Sequence, residues 1–182
     1  MDPWRHAVTE PVGLVGVAAH VRRASDLRGV FEDADALEAL VRAGDPPVYE
    51  TYEPPVPQDP GHLRYGITRV YPGRVGREYF MTRGHYHRIR GTAEVYYVLR
   101  GEGALVLRDP DGHARVERVE PGTVVYVPPG WAHRSVNTGS EPLVLFYVYP
   151  ADAGHDYETV GRTGFGVRVV AGEDGPRFEG SG

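Results

Sequence analysis

The chain has 182 residues, 41% of them hydrophobic, which is enough for one sizeable core and short for two. A net charge of -5 and a pI near 5.9 give no general attraction to nucleic acid or to an anionic membrane, so neither partner is expected. There is no cysteine and no lysine, all 20 basic residues being arginine, which excludes disulfides, thiolate metal sites, cysteine nucleophiles and lysine Schiff bases. Metal, carboxylate, histidine, tyrosine and hydroxyl chemistry remain.

Residues 1–45 read as an N-terminal extension. A short strand is expected in GLVGVAAHV and a helix in DADALEALVRAG, where Leu37, Leu40 and Val41 recur at helical spacing and Gly44 stands where a C-terminal cap belongs. This extension is expected to pack on the main body or on a partner subunit. The N-terminus MDPWRHAVTE lacks the charged-then-apolar order of a secretory signal, and no apolar run approaches the ~20 residues of a membrane span, so a cytoplasmic protein is expected.

Residues 46–60, PPVYETYEPPVPQDP, hold six prolines and read as an extended connector, not as helix or central strand. From residue 62 to about 149 short β-rich runs alternate with glycine and proline: LRYGITRVY, REYFMT, AEVYYVLRG, GALVLRD, ARVERV, TVVYVPP, HRSVN and PLVLFYVYP. Regular spacing with turns such as DPDG predicts an all-β, jelly-roll-like antiparallel barrel over residues 46–170. GVRVV adds one strand, and residues 171–182 are expected to form a flexible tail.

The chemistry gathers in GHYHRIRGTAE and PPGWAHRSVN. His85 and His87 are two apart and share a face on a strand, so they can hold one object between them. With Glu94 and His133 they supply three imidazoles and a carboxylate, a set that suits a divalent Fe, Mn, Ni, Zn or Co ion and leaves about two positions open for substrate oxygens. Tyr96 alternates with Glu94 and shares its face. Thr68 and Thr82, expected on adjacent strands, and the Gly84 N–H offer hydrogen-bond donors, with Arg83 beside them. His6, His20, His62 and His113 read as ordinary surface or packing residues.

Gly122, Pro128, Gly130, His133 and Asn137, together with the HxH…Glu94…Gly101 run, form a two-motif pattern that resembles the cupin superfamily. Six residues separate His87 from Glu94, more than the general pattern has. Four segments, GITRVYPGRVGREYFMTRGHYH, AEVYYVLRGEG, PGTVVYVPPGWAHRSVNTG and YPADAGHDYETV, resemble the cupin-type glucose-6-phosphate isomerases more particularly, and the longer gap accords with that subfamily.

The resemblance implies one divalent ion per subunit, Fe²⁺ first with Mn²⁺, Ni²⁺, Zn²⁺ and Co²⁺ open, on His85, His87, Glu94 and His133. It implies phosphate contacts at Thr68, Thr82 and Gly84, a sugar contact at Tyr96, and catalytic roles for Glu94, Tyr149 and His155. The expected reaction interconverts glucose 6-phosphate and fructose 6-phosphate by a cis-enediol route or a metal-assisted hydride shift, in glycolysis and gluconeogenesis. The alternatives weighed are an Fe-dependent cupin dioxygenase and a non-catalytic sugar-phosphate-binding cupin. A homodimer is expected, because an exposed sheet edge invites pairing.

Overall fold

Runs of β-branched and aromatic residues bounded by glycine and proline become fifteen strands in the computed structural model, which describes residues 5–9 and 13–180. In chain order they are β1 Ala19–Arg23, β2 Pro47–Tyr52, β3 Leu63–Val70, β4 Arg74–Val75, β5 Glu78–Tyr79, β6 Tyr86–His87, β7 Glu94–Arg100 and β8 Gly103–Arg108. The remainder are β9 Ala114–Val119, β10 Val124–Val127, β11 Ala132–Asn137, β12 Leu143–Pro150, β13 His155–Asp156, β14 Val167–Gly172 and β15 Gly175–Gly180. Two α-helices join them, α1 Ala34–Arg42 and α2 Tyr157–Thr163.

A six-stranded antiparallel sheet in the order β1-β2-β3-β12-β7-β10 faces a three-stranded sheet β11-β8-β9. Inward residues from both, among them Val98, Leu145, Leu105, Leu107 and Val136, make one buried cluster. The alternation is clear on β7, where Glu94, Tyr96 and Val98 are buried and Tyr97 is exposed. The expected all-β antiparallel barrel of two facing sheets is therefore present, with a smaller sheet β15-β14-β5-β4 beside it. No helix among the described residues is long and apolar enough to cross a membrane.

Three expectations change. The proline-rich stretch is not all connector, because β2 lies between β1 and β3 inside the large sheet. Its ladder runs through Val48–Tyr52, which contains no proline; Pro47 takes the first strand position, where a missing N–H costs least, and the unpaired prolines follow from Pro54. The N-terminal strand is displaced to Ala19–Arg23, while Leu14 instead packs with Ile67 and Val144 on the outer side of the sheet. Residues 171–180, expected as a flexible tail, continue β14 through a tight turn into β15. The last expected tail residues, 181–182, lie outside the described residues.

The expected helix forms as α1, with the Asp33 side chain accepting from Ala36 N at its start and Leu37 buried. Ala43 is the C-cap, and Gly44 follows it at φ 141°.

Asn137, the last residue of the second motif, is structural. Fully buried, its Nδ2 donates to Val70 O at 2.9 Å and Glu141 O at 2.8 Å, and its Oδ1 accepts from Gly139 N at 2.9 Å. It ties β3 to the β11–β12 turn. Asn137→Ala strands these partners and is expected to cost about 3 kcal/mol, read from the urea midpoint at unchanged m-value.

Candidate metal centre

Two backbone contacts bring the histidine stretches together. His85 and His133 form an antiparallel bridge, with His85 N donating to His133 O at 3.2 Å and His133 N donating to His85 O at 3.0 Å. Gly84 makes the turn into this bridge at φ 74°; a Cβ there would meet Phe165 at 2.7 Å and Arg134 Cβ at 2.8 Å, so no larger residue fits. β6 then places His87 on the same side as His85, with ring centroids 5.6 Å apart.

The six residues between His87 and Glu94 have a definite use. Thr92 N donates to Ile89 O at 3.1 Å, closing a turn, and Thr92 Oγ1 donates its own proton to the same carbonyl at 2.6 Å. The threonine oxygen therefore accepts from His87 Nδ1 at 2.9 Å. His87 carries its proton on Nδ1 and presents a lone pair at Nε2. The same segment docks the DAGHDY loop, through Arg88 N to Gly154 O at 3.2 Å and Ile89 N to Ala153 O at 2.9 Å.

His87 Nε2 lies 3.0 Å and His133 Nε2 2.9 Å from Glu94 Oε2. Ligand atoms of His85, His87, Glu94 and His133 all fall within 4.8 Å of one another. Glu94 is 2% exposed and His133 1%, so water cannot relieve this crowding of lone pairs. His85 Nε2 and both ring nitrogens of His133 are buried and make no hydrogen bond. A divalent cation at the focus satisfies His85 Nε2, one nitrogen each of His87 and His133, and the carboxylate together, so the donor set fits a metal with nitrogen and oxygen preference.

Electrostatics point the same way. Burial alone would raise the Glu94 pKa, but a positive charge shared with the facing His133 and His87 nitrogens, whether proton or metal, lowers it and keeps the carboxylate ionised. His85 is pushed well below the usual histidine value by burial and then by its imidazole neighbours, which keeps it unprotonated and able to ligate.

A cavity of about 160 Å³ opens onto these ligands. Thr68, Thr82, Gly84, Glu94, Tyr96, Tyr149 and His155 all line it, as do His85 and His133, so the structure brings the sequence-identified residues to one place. Thr68 and Thr82 are not on adjacent strands. Thr68 in β3 pairs with Thr51 and Leu145, whereas Thr82 bonds to Ser135 of β11, and the two meet only across the cavity. His155 pairs with His87 through β13, and its Nε2 lies 3.3 Å from the Tyr149 hydroxyl. Asp156 caps α2 by accepting from Thr159 N at 3.0 Å and binds Arg90 Nη2 at 2.5 Å, which fixes the loop that carries His155.

The glucose-6-phosphate isomerase family model matches residues 21–178. The chain belongs to that family. A glucose-6-phosphate isomerase of Thermococcus litoralis is 50% identical over 155 residues, covering 85% of this chain and 81% of the relative. The enzyme of that name from Pyrococcus furiosus is 46% identical over 175 residues, covering 96% and 92%. A bacterial relative of the same name, from Sinorhizobium medicae, is 44% identical over 158 residues, covering 86% and 73%.

For a family member, the cavity also holds residues that the sequence reading passed over. His20, read as an ordinary histidine, lines the cavity beside Arg22, Tyr49, Thr51, Glu53 and Tyr147. For His20, Arg22, Tyr49 and Thr51 the signal was weak because β1 and β2 come from outside the motif region, and only the β1-β2-β3 pairing brings them alongside Thr68.

In metal-free protein the histidines set a pH dependence. Burial is the main cause that lowers His155 from 6.5 to about 4, and His85 also lies below 6.5. Between those values the unfolded chain binds more protons than the folded one, so stability falls as pH drops through this window. The melting midpoint of EDTA-treated protein is expected to decline from pH 6.5 toward pH 4 in calorimetry. A flat or rising midpoint would contradict the burial of neutral imidazoles.

Proposed function

We propose that the chain is a metal-dependent aldose–ketose isomerase that interconverts glucose 6-phosphate and fructose 6-phosphate. The observation that carries this reading is the convergence of a four-ligand metal focus, of which His85, Glu94 and His133 line the cavity, with a wall of hydroxyls and a glycine turn. Membership of the glucose-6-phosphate isomerase family supports it. One divalent ion, Fe²⁺ first among Mn²⁺, Ni²⁺, Zn²⁺ and Co²⁺, is held by His85, His87, Glu94 and His133. When bound it supplies a Lewis acid that stabilises negative charge developing on O1 and O2 of the open sugar.

The protein's own groups do the rest. Thr68, Thr82 and the Gly84 N–H receive the phosphate at the hydroxyl-lined wall, where Thr51 and Ser135 also lie. Tyr96 is buried on the Glu94 face of β7 and borders the sugar; burial and the Glu94 charge raise its pKa well above the usual value, so it stays a neutral donor. His155, neutral near pH 7 because burial lowers its pKa to about 4, takes and returns the proton at the sugar hydroxyls, with Tyr149 beside it. The hydroxyls and ionisable groups around the cavity are at odds with the apolar pocket that a dioxygenase reading calls for.

Glu94 either carries the proton between C1 and C2 in a cis-enediol route or only ligates while hydride moves from C2 to C1. A carboxylate that ligates a cation is a poor acceptor of a carbon-bound proton, because the ion's charge lowers its basicity, which favours the hydride route. The chain acts in the cytoplasm, in glycolysis and gluconeogenesis, as a homodimer. Exposed Val124 and Tyr126 on the edge strand β10, beside exposed Tyr97, support pairing of two copies.

Fructose 6-phosphate turnover coupled to a dehydrogenase is expected to vanish after EDTA and return with one equivalent of a divalent ion. His133→Ala is expected to lose both metal and turnover, while metal-loaded wild-type protein without turnover would overturn the isomerase reading. With glucose 6-phosphate deuterated at C2, fructose 6-phosphate is expected to retain the label at C1 in ordinary water; complete washout would establish the enediol route.

A further inference from the structure

Glu53 is absent from the metal and sugar contacts read from the sequence, yet three side chains converge on it at the cavity. Tyr147 donates to Glu53 Oε2 at 2.9 Å and Tyr149 donates to the same oxygen at 3.2 Å. Arg64 Nη1 lies 3.2 Å from Oε1. The backbone makes room for the cluster: Gly66 faces Tyr147 across the β3–β12 ladder, and a Cβ at Gly66 would stand 2.7 Å from Tyr147 Cζ. Burial first, and then the Glu53 charge, raises the pKa of both phenols, so each keeps a proton to donate.

A carboxylate only accepts, which fixes the direction of each bond. Tyr149 has one hydroxyl proton. With that proton given to Glu53, its oxygen faces His155 Nε2, 3.3 Å away, as an acceptor. The neutral imidazole then has to carry its proton on Nε2, which leaves the lone pair on Nδ1. Nδ1 makes no hydrogen bond among the described residues, and His155 lines the cavity.

We infer that Glu53 is a positioning residue that acts through the Tyr149 hydroxyl to hold His155 in the Nε2–H tautomer, with Nδ1 as its basic atom. The tautomer follows from the hydrogen-bond chain alone; its catalytic consequence, a base ready to accept a sugar hydroxyl proton, rests on the isomerase reading above. The Arg64 guanidinium faces the other carboxylate oxygen, so both oxygens of Glu53 are met by donors.

The test is long-range ¹H–¹⁵N correlation on zinc-loaded, ¹⁵N-histidine-labelled full chain near pH 7, with His155 assigned by its loss in His155→Gln. Wild-type His155 is expected to show Nε2–H. In Glu53→Gln an amide NH₂ can donate to the Tyr149 oxygen, which frees the phenol to turn its proton toward His155. The expected result is loss of the pure Nε2–H pattern, with kcat down about 10- to 100-fold and KM within about 2-fold. Glu53→Asp, which keeps an acceptor-only group, is expected to restore the pattern and most of kcat. The remaining histidine signals report whether the fold is intact. An Nδ1–H pattern in the wild type, or an unchanged His155 pattern in Glu53→Gln whatever kcat does, overturns the inference. Absence of turnover in every metal form would instead sink the isomerase reading and leave the tautomer result standing.

Discussion

Two buried imidazoles, a half-buried third and one buried carboxylate turn their ligand atoms toward one another at the floor of the cavity. Glu94 Oε2 stands within 3.0 Å of a ring nitrogen of His87 and of His133, and three nitrogens of His85 and His133 have no hydrogen-bond partner. Such an arrangement is costly unless a cation or a proton sits at the focus. The surrounding structure is organised to sustain it. β7 turns Glu94 inward, the bridge to His133 fixes His85, and the Ile89–Thr92 turn fixes the His87 tautomer.

Around that focus the barrel supplies layers with different duties. The large sheet contributes the hydroxyl of Thr68 and the phenols of Tyr96, Tyr147 and Tyr149. The facing sheet contributes His133 and Ser135. The loop before α2 reaches back to β6 and sets His155 against the Tyr149 hydroxyl, so the mouth is bordered by a histidine that is mostly buried yet still titratable. The long gap between His87 and Glu94 serves both ends of this design, since one turn orients a ligand and docks the loop that carries His155.

With no lysine, arginine supplies every side-chain cation other than histidine, and several arginines are placed where a planar group is useful. Arg134 lies 4.1 Å from the Phe165 ring centre and donates to Arg83 O at 3.0 Å. Burial lowers its pKa to about 10, which still leaves it charged at neutral pH. It stands behind Gly84 and helps hold the turn that brings the backbone to the cavity. Arg90 stacks on Tyr86 at 4.2 Å while pairing with Asp156, which ties the histidine strand to the start of α2.

The sequence by itself made legible the all-β class, the helix at residues 34–42 and the four metal-ligand candidates, because period-two alternation and fixed spacings in two motifs are local signals, whereas Thr68, Thr82, Gly84, Tyr149 and His155 came from the family resemblance. Asn137 belonged to the motif, but its duty as a structural tie between β3 and the β11–β12 turn needed coordinates. The tertiary structure alone decided that residues 48–52 form an interior strand despite the flanking prolines, and that Thr68 and Thr82 meet across a cavity and not along a ladder. It also decided that His20, Glu53 and Tyr147 belong to the site. Such facts depend on which strands pair and in what register. Pairing is set by contacts between segments tens of residues apart, and no local pattern in either segment records its partner.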